Sequence, residues 1–486
     1  MKLIKQILIR REMIVLFLIL FFGFLVRLYK FQNPIADWHA WRQTDTSAVS
    51  KFFVKDGFDV FHPRFYDLSN VPSGVYENPQ GYRFVEFPIY NVAQAGLFKF
   101  FGNFTIEEWG RLVTIFSSLL SSVFLYLIVK KHLNGFTGLF AAFFFTFIPF
   151  NIYFGRTILP DSSTVAAFLG AIYFFDRWKD KNFSVSWDFI FTLILTVLSL
   201  LLKPFAIFFL LPMLYLIYEK YEFSFLKNKR LWVFAVLSIL PFIFWRIWML
   251  QYPGGIPQSG WLLNGNNIRF KGAFFHWIFA ERVGKLILGY WGLPLLITGL
   301  LLKLPKKTYL FFLSFLISSI LYVTIIATGN VMHDYYQILI MPSIVIYLAI
   351  GASFLWENKT NIYRPVSLII LFVSIAFMLA FGWFNVRAFY NIDHPELIRT
   401  GKIIDSLIPK DAKVVVPAAN GDTTALYFMN RRGWSSFEKP LPQLIKMGAD
   451  YMVLINPQKQ DYDFQKTYKL TYSSSDFLLF NLRELP

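Results

Sequence analysis

Cysteine is missing from this 486-residue chain. That excludes disulfides, thiolate nucleophiles and Cys-ligated metals. Charge is scarce too: Asp, Glu, Lys and Arg make up 16% of the residues, against roughly 25% in soluble globular proteins. Acid is the rarer sign, with 30 Asp and Glu against 47 Lys and Arg, and only 6 His are present. In their place stand 56% hydrophobic residues, 58 Phe among them, and a mean hydropathy of +0.48. Many apolar runs reach the ~20 residues needed to cross a hydrocarbon core, so the chain reads as a polytopic membrane protein. Its net charge of +17 sits mostly in the connections between apolar runs. The preference of cytoplasmic loops for Lys and Arg accounts for it. No basic stripe with nucleic-acid motifs appears, so no nucleic-acid partner is expected.

A basic N-terminus (Lys2, Lys5, Arg10, Arg11) precedes an apolar run from Met13 to Val26. No small-residue cleavage site follows, so the run reads as an uncleaved first span, about 13–30. A polar but aromatic outer loop covers 31–108, with helical patterns at 44–56 and 88–101 that are expected to lie along the interface. Further spans are predicted near 110–130, 136–154, 162–178, 187–202, 204–219, 231–250, 285–302, 309–328, 334–355 and 365–386, about eleven in all. With the N-terminus inside, every inward connection is basic: Lys130 and Lys131; Arg177, Lys179 and Lys181; Lys227, Lys229 and Arg230; Lys306 and Lys307; Lys359 and Arg364. The long loops, rich in Gly, Trp and acid, fall outside. After Arg387 the pattern changes to helices at 395–408 and 440–448 and strands at 413–417, 451–455, 467–472 and 477–482. Gly421, Gly433 and Gly448 punctuate them. The expected architecture is mainly α: a transmembrane helical bundle over 1–387 and a small α/β extracytoplasmic domain over 388–486.

The stretch from Asp37 to Ala48 places two carboxylates, a histidine, an arginine and two tryptophans just after the first span. Polar groups this close to a bilayer are costly unless they do something. From Trp41 onward the spacing suits a helix, with Asp45 one turn beyond Trp41 and Arg42 three residues before Asp45. The predicted topology gathers other polar residues on the same outer side. These are Asp37 and His39, Arg83 and Glu86, Arg156 and Asp161, Lys203 before Pro204, and His333, Tyr335 and Tyr336. Each has a plainer reading: Asp161 as a helix cap, Lys203 snorkelling to water, His333 in a structural pair. Taken together, the carboxylates could deprotonate a hydroxyl or amine, and the cations could hold a phosphate. Attack on an anomeric carbon with a lipid phosphate leaving would use both halves. Asp37, Asp45, Glu86 and Asp161 could also hold a hard divalent cation, but their spacing forms no recognised metal motif. No other cofactor is implied.

At these residues the chain resembles the C-type, multi-span glycosyltransferases of the protein O-mannosyltransferase and aminoarabinose-transferase type (family 39), and their bacterial branch in particular. The matching stretches are Trp41-Arg42-Gln43-Thr44-Asp45-Thr46, Phe61-His62-Pro63-Arg64 and Glu86-Phe87-Pro88-Ile89-Tyr90. Gly155-Arg156 with Pro160-Asp161, Lys203-Pro204 and His333-Asp334-Tyr335-Tyr336 complete the set. The resemblance implies a polyprenyl-phosphate sugar donor, transfer on the outer face and a catalytic aspartate in the first outer loop. Asp45 carries the motif match; Asp37 departs from the acidic pair that many members have there. It further implies a multi-pass protein of the bacterial cytoplasmic membrane, with lipid around it and a cell-envelope acceptor: lipid, glycan or protein. Two alternatives stay open, a transporter or flippase of lipid-linked saccharide and a surface-polysaccharide polymerase or ligase. A transporter should show helices broken near the midplane, whereas these apolar runs read as mostly intact.

Overall fold

The structure, a computed structural model, describes residues 2–357, 363–417 and 422–486, with side chains from Arg10 onward. Lys359 and Gly421, and the side chains of Lys2 and Lys5, lie outside that description. The chain divides into two compact units. The first comprises residues 1–31, 111–244 and 259–389, and the second residues 32–110, 245–258 and 390–486. The outer loop and the C-terminal segment therefore belong to one unit.

The first unit is helical, and its helices are more broken than the apolar runs suggest. Among the described residues, six helices are long and apolar enough to cross a membrane, and Gly135–Phe147 and Trp187–Leu202 are shorter apolar helices. The count of about eleven is thus not reproduced. The run at 136–154 stops at Phe147, because Pro149 has no N–H to continue the ladder and opens a new turn, Pro149–Phe154. The run at 285–302 is split: a wide π turn, His276–Ile287, gives way at Gly289 (φ +49°) to a nine-residue helix, Leu293–Leu301. The run at 204–219 opens as a 3-10 turn, Pro204–Leu210, before the helix Leu211–Tyr221. The run at 334–355 does the same, with Asp334–Ile340 before Met341–Glu357. The Leu293–Leu301 and Met341–Glu357 helices approach closely at Gly299 and Gly351. A Cβ on Gly299 would stand 1.9 Å from the Tyr347 carbonyl oxygen, and one on Gly351 2.0 Å from that of Leu295. Small residues at crossing points are how helices pack where lipid gives no hydrophobic drive.

The second unit is built on a five-stranded sheet: β1 Val414–Val415, β2 Gly433–Trp434, β3 Tyr451–Ile455, β4 Lys469–Ser473 and β5 Phe477–Asn481. Strand order is β2-β1-β3-β5-β4, parallel from β2 to β3 and antiparallel from β3 to β4. Gly433, expected to punctuate, lies inside β2; a Cβ there would fall 1.8 Å from the Val414 carbonyl oxygen. The outer loop joins this sheet, since Gly433 donates to the Tyr66 carbonyl (3.0 Å) and Leu68 to that of Gly433 (2.7 Å). Leu68 then enters the core with Val415, Trp434, Met452, Leu478 and Phe480.

Two loop helices, Ala40–Asp56 and Ile89–Phe101, pack together in the same unit. Gln94 ties them, donating to Ser47 Oγ (3.0 Å) and accepting from Ser50 Oγ (2.7 Å). The Ala40–Asp56 helix does not have the one-sided burial of an interfacial helix. Its buried residues run continuously from Arg42 to Ser50 and mix polar with apolar. A polar helix survives such burial only if its groups find partners, and the partners are what define the site.

Candidate functional site

Each unit carries its own polar cluster. In the sheet-bearing unit it forms on the first turns of Ala40–Asp56, which begin at His39 in the left-handed region (φ 58°) with its ring 5.1 Å from that of Trp38. Left-handed backbone at a non-glycine residue costs on the order of 1 kcal/mol, and such residues gather at functional turns. Asp45, 5% exposed, is bound through both carboxylate oxygens. Arg83 Nη2 lies 2.6 Å from Oδ2, and the Thr423 hydroxyl donates to Oδ1. Arg42 instead pairs with Glu86 at 2.6 Å and donates to Thr46 Oγ1 at 3.1 Å. Helical spacing put Arg42 beside Asp45, but the arginine that pairs with Asp45 is Arg83, which also lies 5.0 Å from the centre of the Phe65 ring. Asp37 is buried and accepts from Gln43 Nε2 at 2.8 Å.

Sequence reasoning missed three residues here. Thr423 lies 378 positions from Asp45, in a stretch with no motif to flag it. Its neighbour Asp422 has its pKa raised by burial and then by the Asp45 charge, against hydrogen bonds from Thr424. Asp67 is pushed up to about 7, first by burial and further by the charges of Asp45 and Glu438. Asp422 and Asp67 thus both feel the Asp45 carboxylate, and both resist ionising.

In the helical unit the cluster forms where two spans break. Lys203 is extended (φ −159°, ψ 121°) before one 3-10 turn, and His333 (φ −121°, ψ 113°) before the other. Lys203 does not snorkel: it is 5% exposed and ion-paired to Asp161. Its Nζ lies 4.7 Å from the Tyr336 ring centre, 5.4 Å from Tyr335 and 5.9 Å from Phe205. Asp161 is the first residue of its helix, Asp161–Asp180, and the N-cap position is held by Pro160. The helix dipole favours an acid there, but its partner is Lys203. His333 sits among rings, 5.4 Å from Tyr335 and 5.7 Å from Trp261. Arg282, another residue the sequence did not single out, lies 3.9 Å from Asp334 and donates to the Val331 carbonyl at 2.9 Å. Arg156 is buried and donates to the Lys30 carbonyl at 2.9 Å.

Among the described residues no three His, Asp or Glu side chains are grouped to hold a metal. Asp45 and Glu86 are paired with arginines and Asp161 with a lysine.

The crystal structure of ArnT from Cupriavidus metallidurans bound to undecaprenyl phosphate superposes with a TM-score of 0.65 at 12% identity, covering 95% of this chain and 97% of that one. The fold is that of the C-type glycosyltransferases. Two further C-type structures agree. AglB, an archaeal oligosaccharyltransferase from Archaeoglobus fulgidus, matches at TM-score 0.59 and 11% identity over 97% of this chain and 75% of its own. The mycobacterial arabinofuranosyltransferase AftD matches at TM-score 0.57 and 11% identity over 96% and 41%. A family model described as dolichyl-phosphate-mannose-protein mannosyltransferase matches residues 86–248. That stretch of the C-type fold contains Glu86, Arg156, Asp161 and Lys203, while Asp45, Arg83 and His333 fall outside it. A search of curated proteins finds no match.

Proposed function

We propose that this chain is a membrane glycosyltransferase. In this reading it moves a sugar from a polyprenyl-phosphate-linked donor to a cell-envelope acceptor on the outer face of the bacterial cytoplasmic membrane. The N-terminus is inside and residues 388–486 are outside. The observation that carries the reading is Asp45, a carboxylate on a buried polar helix whose two oxygens are fixed by Arg83 and Thr423. The remaining lone pairs of Asp45 accept the proton of the acceptor's nucleophile as it attacks the anomeric carbon. The bond from that carbon to the phosphate oxygen breaks with inversion, and the lipid phosphate leaves. For the helical unit taken by itself, Lys203, held among aromatic rings, is the cation proposed for the donor's phosphate. That ArnT has been crystallised with undecaprenyl phosphate supports a lipid-phosphate donor.

The broken spans at Lys203 and His333 keep the transporter reading in play, because ion and substrate sites in transporters are built at such breaks. One assay separates the two. The purified chain in vesicles is given a polyprenyl-phosphate sugar and an envelope extract, and released polyprenyl phosphate is measured beside sugar movement across the bilayer. Release is expected; movement without release would select the transporter. Asp45→Asn keeps size and hydrogen bonding but removes basicity, so release should fall roughly 10²–10⁴-fold with donor binding kept. Asp37→Asn should cost less. The reverse order would move the base to Asp37.

A further inference from the structure

Beyond Asp45 the Ala40–Asp56 helix continues into a different environment. Lys51 and Lys55 lie six and ten residues further on, about 9 and 15 Å along the axis. There they line a cavity of about 520 Å³ together with Lys410, Lys413 and Arg432, a size typical of small-molecule sites. Asp405 and Asp411 are the carboxylates of its wall, which leaves three positive charges in excess. Lys51 is matched by Glu107 at 3.2 Å and Lys410 by Asp405 at 2.7 Å. Among the described residues Lys55, Lys413 and Arg432 have no such match. Arg432 donates to the Pro79 carbonyl at a long 3.4 Å, and its Nε is buried without a hydrogen-bond partner. Burial and the neighbouring Arg64 guanidinium work against its charge, and the Asp56 carboxylate works for it. A half-buried guanidinium whose Nε has no partner suits an anion.

The rest of the wall suits a sugar. Phe52 and Tyr66 supply aromatic faces. Asn430 spends its carbonyl oxygen on Lys51 (3.4 Å) and Tyr66 (3.3 Å), which leaves its amide hydrogens for a hydroxyl. We infer that this cavity binds an anionic saccharide, a sugar bearing a phosphate or a carboxylate. Arg432, Lys413 and Lys55 take the anion, and Phe52 and Tyr66 take the ring. The inference requires neither donor nor turnover, so it stands or falls apart from the transfer reaction.

The test is calorimetry on the full-length protein in detergent at low salt, with glucose 6-phosphate, glucuronate, inorganic phosphate and methyl glucoside as probes. At least one anionic sugar should bind saturably, tenfold or more tighter than inorganic phosphate, with methyl glucoside silent. Which of the two binds better identifies the anion as phosphate or carboxylate. Lys413→Gln with Arg432→Gln should weaken binding at least tenfold. Lys55→Gln, at an exposed side chain, should weaken it several-fold and decides the matter should the double variant not fold. Replacing the other phosphate candidate, with Lys203→Met and Asp161→Asn together, should leave it unchanged. Absence of saturable binding, equal binding of inorganic phosphate, unchanged affinity in the cavity variants, or loss in the Lys203 and Asp161 variant would each overturn the inference.

Discussion

Asp67 is a carboxyl from which folding has removed nearly all water, at 1% exposure. Its oxygens accept from the Ser69 N–H and hydroxyl, both at 2.9 Å. These bonds favour the charged form, yet burial outweighs them and lifts the pKa to about 7. The folded state therefore holds a proton that the unfolded chain releases near pH 4. Stability should fall as pH rises from about 4 to about 7 and be level above that. At 1.36 kcal/mol per pKa unit the loss amounts to about 4 kcal/mol at most. Asp67→Asn imitates the protonated form and can still meet both Ser69 groups, so its unfolding midpoint should be flat across this window and higher than that of the parent at pH 7.5. Parallel pH profiles of the two proteins would show that burial does not set this pKa. Such a group cannot be read from sequence, because Asp67 looks like any loop acid until the Tyr66–Leu68 segment is seen paired to β2.

At the scale of elements, the decisive features are the breaks before Pro204 and Asp334. The sequence marks the first with proline and the second with His-Asp between apolar runs, so both positions stood out. Their partners were not. Lys203 and Asp161 are 42 residues apart and meet only because the Asp161–Asp180 and Trp187–Leu202 helices pack side by side. Removing one partner of a buried pair strands the other charge, at a cost of roughly 3–5 kcal/mol. Lys203→Met alone should accordingly lower the thermal midpoint strongly. Lys203→Met with Asp161→Asn should recover most of that loss while donor affinity stays low. Full donor affinity in the folded double variant would remove the Lys203 cluster from phosphate binding.

For the whole molecule, the basic connections predict which ends face the cytoplasm. The parent has no cysteine, so single cysteines report cleanly. Lys466, exposed at 74% on its side chain, should be labelled in intact cells by an impermeant thiol reagent once changed to Cys. Lys229→Cys should react only after permeabilisation. Labelling in the opposite sense would invert the topology and with it the side of the membrane on which transfer is proposed.

The sequence by itself determined the solvent and the places where polar residues gather. The apolar runs, the missing cysteine, the basic connections and the polar stretch around Asp45 are local properties that each residue carries whatever its neighbours. It also revealed the C-terminal change to strands, since alternation is local. The tertiary structure alone decided the pairings. Arg83 rather than Arg42 faces Asp45, Thr423 closes its other oxygen, and Lys203 turns inward to Asp161. Each of these joins residues 38 to 378 positions apart. A buried charge takes whichever partner folding brings within reach, and sequence spacing predicts that partner only along a single helix.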